Sequence, residues 1–253
     1  MAKKLPPHKS SLLLEDSMIN PNFALASSLE PTTGLLVANP TFDTLIAPLG
    51  TLPNGPYEYA YIAPKNASSK GQIEVGASLA ALDGLISTGN GKDSVNLTLS
   101  TADNLIFTGN ANDTVTGGSG NDTVFGQNGN DTIEGNDDLG TFSVTIVPAT
   151  PTTPLTTSVS FFAGDVLSGG NGKDTFIYGL GDGVDHVTDF KLRQDKLVLS
   201  GIQLEDLLTT TFDGDLYIGF NDGSDGWTAD SVIRIDNVTD INVLLNSNGI
   251  LFA

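Results

Sequence analysis

The sequence predicts an all-β fold in which short strands stack as a solenoid, and three observations predict it. First, Gly117 to Glu134 reads GGSGNDTVF followed by GQNGNDTIE, two adjoining copies of one nine-residue unit. Second, aligning on the aspartate places an apolar residue two positions later in seven units: Asp93/Val95, Asp103/Leu105, Asp113/Val115, Asp122/Val124, Asp131/Ile133, Asp165/Leu167 and Asp174/Phe176. Only 39% of the chain is hydrophobic, so seven matches mark short strands with one buried face. Third, from Asp83 onward there are 22 aspartates against only Glu134 and Glu205, and they gather in the glycine-rich bends between those strands.

Residues 1–84 form the first segment, with few charges and many prolines. Pro40, Pro48, Pro53, Pro56 and Pro64 argue against long helices or central strands, so an irregular extension is expected. Gly76 to Leu85 (GASLAALDGL) reads as a short helix that could cap the first coil. Phrases such as TGLLVANPTFDTLIAPLG are too apolar to remain exposed alone. The segment is expected either to cover the end of the solenoid or to dock on a neighbouring molecule by strand addition.

Residues 85–180 form the repeat itself. The bends Gly117–Asp122 and Gly169–Asp174 match the pattern in full, Gly126–Asp131 nearly so, and Thr88–Asp93 and Thr108–Asp113 with one or two substitutions. The unit around Asp103 lacks its glycines and reads as a structural turn. Aspartate spacing is nine residues from Asp113 to Asp122 to Asp131 and again from Asp165 to Asp174, but 34 from Asp131 to Asp165. One unit therefore carries a 25-residue insertion, residues 139–163, leaving the repeat after GNDD and resuming at Gly164. Its two alternating runs, TFSVTIV and LTTSVSFF around PATPTTP, predict a projecting β-hairpin.

These residue types suit a calcium ion. Calcium takes six to eight oxygens, which carboxylates and the backbone carbonyls of two stacked glycine bends can supply. Aspartate's short stem keeps the carboxylate at the bend. If each unit makes half a coil, one file holds Asp93, Asp113, Asp131 and Asp174, and the other Asp103, Asp122, Asp165 and Asp185. Strands stack about 4.8 Å apart, so unneutralised neighbours repel by about 3 kcal/mol per pair at an effective dielectric near 20. Several pairs together rival the stability of an ordinary domain, and the metal-free repeat is expected to be loose until calcium closes it. The candidate metal-binding residues are Asp93, Asp113, Asp122, Asp131, Asp165, Asp174 and Asp185, with the bend glycines Gly89, Gly91, Gly118, Gly120, Gly129, Gly170 and Gly172 and several Ca2+ ions.

Residues 181–253 follow the last full repeat. Asp185 to Phe190 reads DHVTDF and Asp195 to Leu199 reads DKLVL. The repeat, of the form GGxGxDxUx, together with these segments resembles the hemolysin-type (RTX) calcium-binding proteins over residues 85–253. The resemblance implies a parallel β-roll with an antiparallel C-terminal cap and calcium between the turns. It also implies an uncleaved C-terminal signal read by a type I secretion apparatus, hence a secreted or cell-surface location. The start, MAKKLPPHKSSLLLEDS, has too short an apolar run for a Sec signal peptide, which accords with that route.

Charge excludes other classes. Residues 1–82 hold five lysines against six acidic residues; residues 83–253 hold six basic against 24 acidic, so nearly all of the net −19 lies on the repeat and the cap. Such a surface attracts cations and repels nucleic acid. No membrane span and no cysteine is present. Nor is there an HExxH, GxSxG or P-loop motif, and the two histidines, His8 and His186, read as incidental. The expected function is therefore a non-catalytic, calcium-dependent component of a surface layer, filament or matrix that associates with its own copies. Two alternatives stay open: a soluble adhesin or glycan-binding module using the hairpin and Trp227, and a small hydrolase or epimerase-like enzyme.

Overall fold

Two facing parallel stacks of strands make up most of the described residues, each unit of the repeat contributing one rung to alternate stacks. The computed structural model describes residues 83–138, 140–147, 156–220 and 231–253, with residue 81 and four short upstream strands. The first stack consists of β1 (Val37–Ala38), β4 (Gln72–Glu74), β6 (Ser94–Asn96), β8 (Thr114–Thr116), β10 (Thr132–Glu134), β14 (Thr175–Gly179), β16 (Lys196–Ser200) and β20 (Ile250–Phe252), in that spatial order. The second runs from β2 (Ile46–Pro48) through β3 (Tyr59–Ile62), β5 (Gly84–Ser87), β7 (Asn104–Phe107), β9 (Thr123–Phe125), β13 (Val166–Ser168) and β15 (Gly183–Val187). It closes with β19 (Ser231–Ile235), β18 (Asp215–Phe220) and β17 (Leu207–Phe212). Pairing is parallel from β4 to β20 and from β3 to β19, and antiparallel at β1–β4, β2–β3, β19–β18 and β18–β17. The fold is a parallel β-roll closed by an antiparallel C-terminal meander.

The repeat forces this winding. Three-residue strands can bury only their central side chain, and a six-residue bend then turns the chain onto the opposite stack. Val95, Val115, Ile133, Phe176 and Leu197 from one stack meet Ile86, Ile106, Val124, Leu167 and Val187 from the other in one continuous core. The core continues into the cap through Leu216, Ile218, Phe220, Ile233 and Leu244. The one α-helix among the described residues, α1 (Ile241–Asn246), is capped by Asp240, whose carboxylate accepts the Asn242 amide at 2.8 Å.

Three expectations change. In the degenerate unit, Leu105 pairs with Thr123 and Ile106 with Val124, so the aspartate position is taken by Asn104 and the core position by Ile106. Leu105 lies half-buried and Asp103 exposed. The loop before β7 is longer than the six-residue bends, and counting back nine from Asp113 lands on Asn104, not Asp103. Secondly, Gly84 and Leu85, read as the end of a helix, lie in β5, because Leu85 pairs with Leu105 and extends the stack. Thirdly, the parallel pairing does not stop at residue 84, since β3 and β4 add one further coil upstream. The rest of the helix-like phrase (residues 76–80 and 82), His8, Trp227 and the PATPTTP turn lie outside the described residues.

The insertion is a hairpin: β11 (Thr141–Val147) pairs antiparallel with β12 (Thr156–Phe162). Its root packs on the outer face of the second stack, where Phe142 joins Val184, Tyr217 and Val232 with Val159 and Phe161 beside them.

The revised register has a direct test. Ile106→Ala is expected to destabilise the calcium-loaded protein by about 2–5 kcal/mol, as for a buried aliphatic side chain. Leu105→Ala should cost less than about 1 kcal/mol, the size of a surface change. Denaturant midpoints of the two variants decide between the registers.

Candidate metal centre

Most bends present one buried aspartate, and the bends stack so that these aspartates form two files. In the first, each backbone amide donates to the next carboxylate: Asp93 to Asp113 Oδ1 (2.7 Å), Asp113 to Asp131 (2.8 Å), Asp131 to Asp174 (3.0 Å) and Asp174 to Asp195 (3.0 Å). In the second, the Asn104 amide donates to Asp122 Oδ1 at 2.8 Å, Asp122 to Asp165 Oδ1 at 2.6 Å, and Asp165 to Asp138 Oδ2 at 3.1 Å. Register places Asp185 beside Asp165 in the next rung. One oxygen of each accepting carboxylate thus ties coil to coil.

The other oxygen is what matters chemically. Oδ2 of Asp113, Asp122, Asp131, Asp165 and Asp174, and both oxygens of Asp185, are buried with no hydrogen-bond donor. Buried carboxylate oxygens without donors are costly unless a cation meets them. Where a bend opens on glycine, that residue leaves room for the oxygen: a Cβ on Gly117, Gly126 or Gly169 would stand 2.5, 2.5 or 2.4 Å from Oδ2 of Asp122, Asp131 or Asp174. The bends also press on one another. Gly172 has φ +146°, and a Cβ there would come 1.4 Å from the Gly129 carbonyl oxygen of the preceding bend, a place only glycine can occupy.

Burial dominates the titration of these groups. It pushes Asp113, Asp122 and Asp131 up to about 7 and Asp165 to about 9, against the lowering effect of the amide donors. Neighbouring carboxylates add to the rise, Asp131 at Asp113 and Asp122 at Asp165. Asp174 and Asp195 are raised for the same first reason, and Asp185 well above the usual range. A divalent cation offsets both causes at once, since it replaces lost hydration and cancels like charge. The donor set, all oxygen and mostly carboxylate, fits calcium.

The last bend of the first file shows what a cation does there. The Lys191 ammonium donates to the Gly170 carbonyl and the Gln194 side-chain amide to the Gly172 carbonyl at 3.1 Å. Asp189 accepts from the Gly169 and Gly170 amides at 2.9 and 2.8 Å. Gly170 and Gly172 thus offer carbonyls along the stack axis, and the final pair is met by side-chain donors of the cap.

Of the residues singled out from sequence, the structure brings Asp93, Asp113, Asp131 and Asp174 into one file and Asp122, Asp165 and Asp185 into the other. Gly89, Gly118, Gly120, Gly129, Gly170 and Gly172 fall in the bends with left-handed backbone, and Gly91 is buried in the first bend. Asp103 is not in the file; it sits one residue early, accepting the Asn121 amide at 2.8 Å. Three participants were not foreseen. Asp195 ends the first file, and its Leu197 two positions on is buried, so the spacing used for the repeat detects it. Asp138 stands against Asp165 because GNDD and Gly164–Asp165 form one six-residue bend split by the hairpin, with the Gly117, Gly118 and Gly120 amides donating to Glu134, Gly135 and Asp137 carbonyls beneath them. Asn90, Asn110, Asn128 and Asn171 form a side-chain ladder down the first file, with Asn128 to Asn110 and Asn171 to Asn128 both at 3.0 Å.

A family model of the RTX calcium-binding nonapeptide repeat matches residues 100–139 and 164–185 in four copies. The chain carries RTX calcium-binding repeats. The gap in the match falls on the hairpin, so the RTX units on either side stack as neighbours across it. Among solved structures, the extracellular lipase LipA from Serratia marcescens is similar at 13% identity and a TM-score of 0.26, covering 68% of this chain and 38% of the lipase. A likeness that slight says nothing about activity. No curated protein matches the chain. No helix among the described residues is long and apolar enough to cross a membrane.

The pH dependence of the metal-free RTX roll follows in sign. Asp113, Asp122 and Asp131 hold protons in the fold up to about 7, whereas unfolded aspartate releases them near 3.8. Their contribution to metal-free stability is therefore complete below the unfolded value and lost as pH rises through about 7. In chelator the melting temperature should fall between pH 5 and pH 8 by on the order of 10 °C. With saturating calcium it should rise over the same interval, because the ion competes with protons. Thermal melts by circular dichroism at the two pH values check both signs.

Proposed function

We propose that this is a secreted, non-catalytic calcium-binding protein that folds on meeting calcium outside the cell and then associates with its own copies as part of a surface layer, filament or matrix. The carrying observation is the double file of buried aspartates, in which Oδ2 of Asp113, Asp122, Asp131, Asp165 and Asp174 has no donor. Asp93, Asp113, Asp131 and Asp174 on one side, and Asp122, Asp165 and Asp185 on the other, are the proposed carboxylate ligands, with the bend glycines supplying carbonyls. Extracellular calcium sites of this kind work at about 10⁻⁴ to 10⁻³ M, far above cytosolic levels. A chain needing several such ions stays open inside the cell and closes outside it. That behaviour suits export of an unfolded chain by a type I secretion apparatus.

Self-association is supported by the ends of the roll. A stack of parallel rungs leaves an edge strand at each end, and edges recruit further strands unless blocked. At the C-terminal end β20 displays Leu251 and Phe252, each more than a third exposed, and β17 displays Phe212. The absence of nucleophile or metallohydrolase motifs supports a non-catalytic role, and His186 is engaged by Asp236 at 2.8 Å rather than by a serine or cysteine.

Light scattering with and without millimolar calcium tests the reading. Full-length protein should give high-mass assemblies only in calcium, and a chain lacking residues 1–70 should bind calcium and fold yet lose them. Monomeric full-length protein in calcium would contradict the assembly role and favour the soluble binding-module alternative.

A further inference from the structure

One acidic cluster differs from the regular files. At the root of the hairpin, Asp138, Asp165 and Asp185 each bring a carboxylate oxygen within 4.8 Å of the others, and all three are buried. They come from three separate segments: the split bend before the hairpin, the rung after it, and strand β15 at the start of the cap. Asp185 is wholly buried, and neither of its oxygens has a donor; Oδ2 of Asp165 has none either.

The surroundings are shaped for this meeting. The Gly140 amide donates to Asp138 Oδ1 at 2.7 Å, the Val184 amide is shared between Oδ1 at 2.9 Å and Oδ2 at 3.0 Å, and the Asp165 amide donates to Oδ2 at 3.1 Å. Three amide hydrogens thus meet the roughly four lone-pair directions of this carboxylate, which leaves about one for an ion. Gly164 and Gly183 stand against it, and a Cβ on either would come 2.0 Å from Asp138 Cγ or 2.1 Å from Oδ1. In a regular bend the residue at the Asp138 position is a glycine, as Gly120 and Gly129 are, so the third carboxylate is an addition of this bend alone.

We propose that Asp138 joins Asp165 and Asp185 in a three-carboxylate calcium site at the end of the second file, one that fastens the hairpin and the C-terminal cap to it. It rests on the reading of the repeats as calcium-binding and extends it to a site with three carboxylates rather than one per bend. Three negative charges around one ion give this site the highest charge density of the described bends, so it fills at lower calcium than the files. Its occupancy fixes the Gly140 and Val184 amides, and with them the hairpin root that carries Phe142 into the cluster of Val184, Tyr217 and Val232. Calcium concentration would then order the projecting hairpin before the rest of the roll is saturated.

The test uses the full-length chain with Asp185→Asn, Asp138→Asn and, as a control in the other file, Asp113→Asn. Equilibrium dialysis with radioactive calcium gives the number of ions bound, and hydrogen exchange of residues 140–147 reports the hairpin root. Asp185→Asn should bind one ion fewer than wild type and exchange at 140–147 at least about tenfold faster in calcium, with β8 and β10 still protected. Asp113→Asn should lose calcium without that change at the hairpin. The Asp185 side chain ties no backbone amide, whereas Asp138 holds three, so the Asp185→Asn variant keeps the fold even if Asp138→Asn does not. Full stoichiometry in Asp185→Asn, or hairpin exchange in wild type that ignores calcium, overturns the junction site while leaving the files intact. If wild type binds no calcium, the reading of the repeats fails with it.

Discussion

Everything in this fold depends on buried carboxylates held one strand spacing apart. In most bends an aspartate ties its coil to the next through one oxygen, and that hydrogen bond fixes the second oxygen in a buried place. The protein interior thus contains two columns of like charge that neither water nor a side-chain donor neutralises along most of their length. The same geometry that makes the roll costly without a cation makes it a ready cage for one. In the proposed reading, calcium binding supplies much of the free energy that closes the roll.

The parts that depart from the regular repeat all manage that constraint. Asn104 begins the second file with an amide in place of a carboxylate, donating to Asp122 from both its backbone and its side chain. At the other end of the first file, Lys191 and Gln194 supply fixed donors to the carbonyls of the last glycine bend. The hairpin interrupts the fourth and fifth positions of a bend without shifting the rungs on either side, because Gly164 and Asp165 resume in register. The cap then turns antiparallel only where no further aspartate file needs stacking. Nearly all of the net −19 lies on the repeat and the cap, and the N-terminal third is almost neutral.

Much of this was legible from residues because the repeat couples a visible spacing to a physical demand. A period of nine with an apolar residue two after the aspartate leaves little freedom in the winding, and it placed Asp113, Asp122, Asp131, Asp165 and Asp174 correctly. It misplaced Asp103 because the preceding loop is longer than the bends, and an aspartate beside an asparagine hides which of the two faces inward. Asp138 was missed for a different reason: its partners Asp165 and Asp185 are 27 and 47 positions away, and the bend that unites them is broken by the hairpin. Burial of Asp185 depends on contacts between the second file and the cap, which no local pattern encodes. Strands β3 and β4 escaped notice because proline-rich text of low charge carries no aspartate period.

The most direct measurement is anomalous scattering from crystals grown in calcium, which locates the ion independently of any assumption about the chain. The account predicts peaks beside the Oδ2 atoms of Asp113, Asp131, Asp122 and Asp165, spaced by one strand repeat along each file. Bends free of anomalous signal at saturating calcium, with the strands still wound as described, would contradict it.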